Sequence, residues 1–213
     1  MKYAVLGTGT VGRALASKLV SLGHSTWMGS RTADSDAGLA WAADAGALGT
    51  LSTFSGAANA ADIVLLAVGG QHALAVVEAA ADGLQGKVLV DLTNPLDFSQ
   101  GFPPRLSVCN DDSLGEQIQA AVPGARVVKT LNTLSNTIMV DPGKLSEPSD
   151  LLIAGDDAEA KAVVTKMLVE WGHRPPVDLG GIDASRGLEA WLLLWTRLYG
   201  ALGTGDFNIR IVR

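Results

Sequence analysis

The chain has 213 residues, a formal net charge of −6, and a composition that is 47% hydrophobic and 18% charged. Those figures suit a globular protein with a sizeable core. They supply no basic surface of the kind nucleic acid or an anionic membrane requires, so neither is an expected partner. With Cys109 as its single cysteine the chain cannot close an internal disulfide, and with no apolar leader before the first strand a cytoplasmic location is expected.

Short β-branched runs alternate with Ala-rich runs. That pattern predicts an α/β fold, a Rossmann doubly wound, mostly parallel sheet with a small C-terminal helical extension. Residues 2–6 read as a strand, and a glycine turn leads to a helix over 11–22 that Gly23 stops. A strand at 25–28, a helix at 36–45, a short strand at 48–51 and a short helix at 55–61 follow. Residues 63–68 are apolar throughout, as expected of a strand buried on both faces. A helix over 71–81 and a strand over 87–92 come next.

The rhythm then changes. Residues 94–112 are long, polar and rich in Pro and Gly, yet carry Phe98 and Phe102. A connection of that length in a small domain is expected to be functional or disordered, and the two aromatics argue against simple disorder. Ser113 and Glu116 form a capping box for the next helix. A strand at 126–131 and an irregular stretch at 132–148 precede a strand at 151–154, a helix at 158–171, a strand at 177–179 and a helix at 184–202. The last helix is interrupted by Arg197 and is too short in apolar length to span a bilayer. Residues 1–155 are expected to form the dinucleotide-binding domain. Residues 156–213 are expected to complete an acceptor cleft, either as an α/β extension or as part of one continuous domain.

Gly7-Thr8-Gly9-Thr10-Val11-Gly12 is a full G-x-G-x-x-G between a strand and a helix. That context turns a weak pattern into a dinucleotide fingerprint. Gly7 permits the tight turn, Gly9 keeps side-chain atoms away from a pyrophosphate, and Gly12 lets helix and strand pack closely. The N–H groups of Thr10 and Val11 then point at a bound anion. An NAD site places Asp or Glu at the end of the second strand to hold the ribose hydroxyls. This chain has Ser30-Arg31-Thr32 instead, donors suited to the 2′-phosphate of NADP(H). Asp34 and Asp36 follow closely and are expected to face away.

Ligands of such sheets sit at the carboxyl ends of the strands. Two further loops are therefore expected to line the cofactor: Ala67, Val68, Gly69, Gly70 and His72, and then Thr93, Asn94, Pro95 and Leu96 at the nicotinamide end. His72 reads equally as a phosphate or ribose donor and as an ordinary first-turn helix residue. His24 and His173 follow helix-ending glycines and read as structural. Lys129 reads either as a contact for an anionic acceptor or as a structural cation, and Asp91 as a satisfied structural carboxylate. Trp191 and Trp195 share a face of the last helix with Leu188, Leu192 and Tyr199. That face reads first as packing onto the sheet, and otherwise as a homodimer contact or a wall of the acceptor pocket.

The segments Leu6 to Gly12, Leu22-Gly23-His24, Gly29-Ser30-Arg31 and Val127 to Thr133 resemble the NADPH:deazaflavin oxidoreductases, which use coenzyme F420. The resemblance continues through Ile153 to Asp157, Asp178 to Gly180, Ser185, Arg186, Glu189 and Gly203 to Gly205, so it spans nearly the whole chain. It implies NADP contacts from Thr8 to Val11, Ser30, Arg31, Gly70, Leu74, Leu96 and Asn136. It also implies coenzyme F420 as co-substrate, in a cleft closed by the C-terminal extension. Family members carry His where this chain has Asn132 and Pro where it has Ser135.

The implied reaction is hydride transfer between NADP(H) and a planar acceptor, which needs ring stacking more than an acid or base. Thr93, Asn94 and Pro95 are expected beneath the nicotinamide, and Leu131, Asn132 and Thr133 towards the acceptor; no catalytic acid or base and no metal ligand is assigned. Two rivals stand beside this reading: an NADPH-dependent reductase of a flavin, ferric chelate or small carbonyl or imine compound, and a non-catalytic NADPH sensor.

Overall fold

The β-branched runs resolve into an eight-stranded sheet in a computed structural model that describes residues 1–212. The strands are β1 (Lys2–Leu6), β2 (Ser25–Ser30), β3 (Gly49–Thr53), β4 (Ile63–Leu66), β5 (Val88–Asp91), β6 (Leu96–Asp97), β7 (Arg105–Leu106), β8 (Arg126–Thr130), β9 (Leu152–Ala154) and β10 (Val177–Asp178). The sheet order is β10-β9-β8-β5-β4-β1-β2-β3. All pairings are parallel except β8 with β9, where the chain reverses. The order turns back on itself between β1 and β4, which is where a doubly wound sheet opens its ligand crevice.

Side chains alternate between two apolar layers with the period of two that an extended chain imposes. Tyr3, Val5, Ile63, Leu65, Val88, Val90 and Val128 pack on one face with Leu15, Leu19, Ile138, Val164 and Leu168. Ala4, Leu6, Val64, Leu66, Leu89 and Val127 pack on the other with Val76, Val77, Leu84 and Ile118. The first layer is covered by α1 (Thr10–Ser21), α2 (Asp36–Ala45), α7 (Asn136–Val140) and α8 (Ala158–Glu170). The second is covered by α3 (Phe54–Ala60), α4 (Gly70–Ala79), α5 (Ala81–Leu84) and α6 (Leu114–Ala121). Helix α9 (Ser185–Leu202) packs against the start of α6.

The irregular stretches carry structure that composition did not disclose. Residues 94–112 fold back as a small antiparallel ribbon, β6 with β7, pairing Leu96 with Leu106 and Asp97 with Arg105. The stretch after β8 contains α7, which packs on α1. Half of the expected capping box forms: Ser113 Oγ accepts from the Glu116 N–H at 3.2 Å and donates to Glu116 Oε2 at 2.7 Å, while the Ser113 N–H, which a full box would give to Glu116, donates to Asp112 Oδ1 at 2.8 Å. No helix among the described residues is long and apolar enough to cross a membrane.

Candidate active site

Two adjoining cavities lie along the carboxyl ends of β1, β4, β5 and β8. One of about 740 Å³ runs beside Gly7, Thr8, Ser30, Arg31, Thr32 and His72. The other, of about 780 Å³, runs beside Thr10, Val11, Gly70, Thr93, Asn94 and Leu96. Gly9, Ala67, Val68 and Gly69 line both.

The glycine turn is shaped as its pattern requires. Gly7 takes φ +131°, and a Cβ on it would collide with the Ala67 carbonyl. A Cβ on Gly12 would collide with the Gly7 carbonyl, so helix α1 lies directly on the turn. Gly9 is different: a Cβ there meets nothing within 4 Å and would project into open space. Helix α1 starts at this point with no side-chain cap. The N–H groups of its first turn therefore need a partner from outside the helix. Together, the open space over Gly9 and the uncapped helix start fit a pyrophosphate.

At the far end of the first cavity β2 runs on to Ser30, two residues beyond the expected strand end. Ser30 is buried and its hydroxyl donates to the Thr32 carbonyl. Arg31 is exposed and forms no ion pair among the described residues, so Asp34 and Asp36 do not neutralise it. The lining carries Arg31 and no carboxylate. Phe54, Ala75, Val76 and Ala79 add apolar wall, and none of them has a distinctive signal in the sequence.

The second cavity is walled by Leu92, Leu134, Met139, Leu192, Phe98 and Trp195. Trp195 stacks on Tyr199 at 5.6 Å and on Phe207 at 5.3 Å between ring centroids. Leu192 and Trp195 therefore belong to the wall, while Trp191 does not line it and Leu188 packs inward. The ribbon contributes Leu96, Asp97, Phe98 and Ser107. Asp97 accepts from the Ser99 N–H at 2.8 Å and from its hydroxyl at 2.9 Å. Those bonds, with the Arg105 charge across the ribbon, hold its carboxyl below the usual range. Asp97 is the charged side chain of this lining, which holds no Lys or Arg.

Asn94 and Asn132 join the floor. Asn94 Nδ2 donates to the Asn132 carbonyl, and Asn132 Nδ2 donates to Asn94 Oδ1, both at 2.9 Å. Asn132 Nδ2 also reaches the Leu188 carbonyl on α9 at 3.0 Å. Leu131, just before it, holds φ +62° without being glycine, a strained backbone of the kind that gathers at functional sites. Pro95, Leu131 and Thr133 are buried beside the cavities and line neither, as is also true of Leu74 and Asn136 at their partly buried positions.

Beneath Thr93 lies a buried charge cluster. Asp91 and Lys129 are paired across β5 and β8, on the face towards α6. Lys129 Nζ donates to Asp91 Oδ2 at 2.8 Å and to the Thr93 carbonyl at 2.6 Å, and it lies 2.8 Å from Glu189 Oε1. Asp91 Oδ1 accepts from the Thr93 N–H and hydroxyl. Glu189 accepts from the Leu114 and Gly115 N–H groups at the start of α6. Burial disfavours the ammonium form of Lys129, but the two carboxylates outweigh it, and its pKa is raised. The structure thus settles the choice for Lys129 in favour of a structural cation; it is fully buried and lines neither cavity. His173 is also buried, bonded to the Met139 carbonyl at 2.8 Å, and burial lowers its pKa.

Fold and site together define a Rossmann-type, dinucleotide-dependent oxidoreductase. Residues 2–95 match the family described as NADP oxidoreductase, coenzyme F420-dependent. The F420-dependent NADP reductase of Methanothermobacter marburgensis is 30% identical over 200 residues, covering 89% of this chain and 88% of that protein. The crystal structure of a candidate F420-dependent NADP-reductase from Arthrobacter sp. FB24 superposes with a TM-score of 0.94 at 46% identity, covering 100% of both chains. The chain belongs to the coenzyme F420-dependent NADP oxidoreductase family. It is also 31% identical over 189 residues to Metalloreductase STEAP3 of Rattus norvegicus, where 89% of this chain matches 36% of that much longer protein.

Proposed function

We propose that the protein transfers a hydride between NADP(H) and a planar acceptor, coenzyme F420. One observation carries the reading: two cavities of comparable size meet over Gly9, Ala67, Val68 and Gly69. The one ending at Ser30 and Arg31 takes the adenosine 2′-phosphate. The one walled by aromatic and aliphatic side chains takes the nicotinamide and a second ring against it. Residues 1–155 supply the nucleotide cradle, and residues 156–213 complete the wall through Leu192 and Trp195.

NADPH supplies the hydride, and the reduced acceptor takes one proton from solvent. The chain binds, orients and excludes water. The α1 start and Gly9 hold the pyrophosphate, and Arg31 with Ser30 and Thr32 selects the 2′-phosphate. Thr93, Asn94 and Asn132 fix the floor on which the nicotinamide lies. Leu192, Trp195 and Phe98 press the acceptor ring against it. Positioning of this kind supplies much of the acceleration in a transfer between two stacked rings.

A cytoplasmic setting fits a reductase fed by the NADPH pool. A second copy of the chain is the proposed partner, supported by exposed Leu193, Leu194 and Leu202 on α9. A second reading, reduction of another acceptor such as an uncharged flavin or a small carbonyl or imine compound, is favoured by one feature. The acceptor cavity offers Asp97 and no cationic side chain, so any anionic tail must lie outside it.

The test is NADPH oxidation by oxidised coenzyme F420, followed by deazaflavin absorbance and repeated with flavin and ferric citrate. Fast turnover with the deazaflavin supports the first reading. Bound NADPH with turnover on flavin or ferric citrate alone replaces it with the second.

A further inference from the structure

The Asp91–Lys129–Glu189 cluster has a charge that packing alone does not require. Each of the Lys129 donors meets an oxygen, and every group within hydrogen-bond distance of the two carboxylates is a donor. All three groups are therefore ionised, and the cluster carries a net charge of −1 with all three side chains at 2% exposure or less. Its neighbour on the cavity side is Thr93, whose N–H, hydroxyl and carbonyl are all engaged by the cluster and which lines the acceptor cavity. Lys and Asp alone would make a neutral pair. Glu189, delivered by α9, adds the surplus charge, and the start of α6 offsets part of it through its N–H groups.

We propose that this buried surplus charge tunes the bound nicotinamide: Glu189 is a positioning residue that favours the cationic ring of NADP+ over the neutral ring of NADPH, making bound NADPH a stronger hydride donor. The inference rests on the nucleotide reading above. The sign follows from charge alone. Oxidised nicotinamide is a cation, so a fixed negative field stabilises the product of hydride donation. Asp97 on the ribbon acts in the same sense from another wall. For a unit charge on the order of 10 Å from the ring, at an effective dielectric constant of about 20, Coulomb's law gives roughly a fifteenfold preference. If α6 cancels half the charge, the preference is about fourfold.

The experiment measures dissociation constants for NADP+, NADPH and 2′,5′-ADP by fluorescence titration in the unaltered protein and in Glu189→Gln. The ratio Kd(NADP+)/Kd(NADPH) is expected to rise by about four- to fifteenfold in the variant, with 2′,5′-ADP affinity unchanged because that ligand has no nicotinamide. A ratio that moves less than twofold, in a variant that melts cooperatively, overturns the proposal. Asp91→Asn removes the same charge from the other side and is expected to shift the ratio in the same direction. Should both variants fail to fold, the unaltered protein decides: NADP+ is expected to bind at least as tightly as NADPH, and tighter binding of NADPH overturns the proposal. If neither NADPH nor 2′,5′-ADP binds, the nucleotide reading itself falls; binding with an unmoved ratio sinks only the present inference.

Discussion

Replacing Lys129 by methionine keeps an unbranched side chain only one atom shorter and removes its charge. In the folded protein Lys129 contacts Asp91 at 2.8 Å, Glu189 at 2.8 Å and the Thr93 carbonyl at 2.6 Å, with no exposure to solvent. The variant leaves two carboxylates facing one another without a counter-ion. Breaking a buried ion pair by removing one partner costs about 3–5 kcal/mol. For a chain of this size that lowers the melting temperature by roughly 6–20 °C. The loss is pH dependent, because a buried carboxylate without its cation takes up a proton. The deficit relative to the unaltered protein is therefore larger at pH 8 than at pH 5. Thermal and urea unfolding at the two pH values measure it. Adding Glu189→Gln to Lys129→Met removes one of the orphaned charges, so the double variant is expected to be more stable than Lys129→Met alone. A loss below about 1 kcal/mol, or a double variant no better than the single one, refutes the account of the cluster as a charge-paired unit.

Arg31→Ala is expected to weaken NADPH binding about 10- to 150-fold, the range for a charge-assisted hydrogen bond, and to leave NADH binding within about twofold; titration of both nucleotides checks it, and equal losses sink the 2′-phosphate assignment. His173 has its pKa lowered by burial from an ordinary 6.5, so the unfolded chain takes up that proton before the folded one. Stability is therefore expected to fall as the pH drops through about 6.5, ahead of the carboxylate range. In His173→Asn the slope between pH 7 and pH 5 is expected to flatten, as read by urea unfolding.

The nucleotide half of the protein was legible because its signals are local. The fingerprint from Gly7 to Gly12 is contiguous, and its geometric roles follow from the absence of Cβ atoms at fixed offsets. Ser113 caps the Glu116 N–H as their spacing implies, although Asp112 rather than Glu116 takes the Ser113 N–H. The acceptor half was harder because its parts meet only after folding. Trp195, Asp97 and Leu134 come from an α-helix, a two-residue strand and a loop. None of them stands in a pattern that names a cavity. Phe98 and Phe102 argued against disorder, and the ribbon formed, yet residues 94–112 gave no period-two alternation from which to place it. Lys129 shows the limit most clearly. In the folded sheet it pairs in register with Asp91, and residues so paired share a face. The choice between acceptor contact and structural cation turned on Glu189, which reaches the cluster from 60 positions away in the sequence.

The strip common to both cavities consists of Gly9, Ala67, Val68 and Gly69, none of which offers a polar side chain. Such a strip exposes mostly main chain, and main chain changes little when neighbouring side chains are exchanged. The two halves of the site are thereby separable in design. On the proposed reading, exchanges at Leu192, Trp195 or along the β6–β7 ribbon would reshape the chamber for a different partner molecule and leave the nucleotide end, lined by Arg31, as it is. A scaffold so divided lends itself to new reductases made by rewriting one wall.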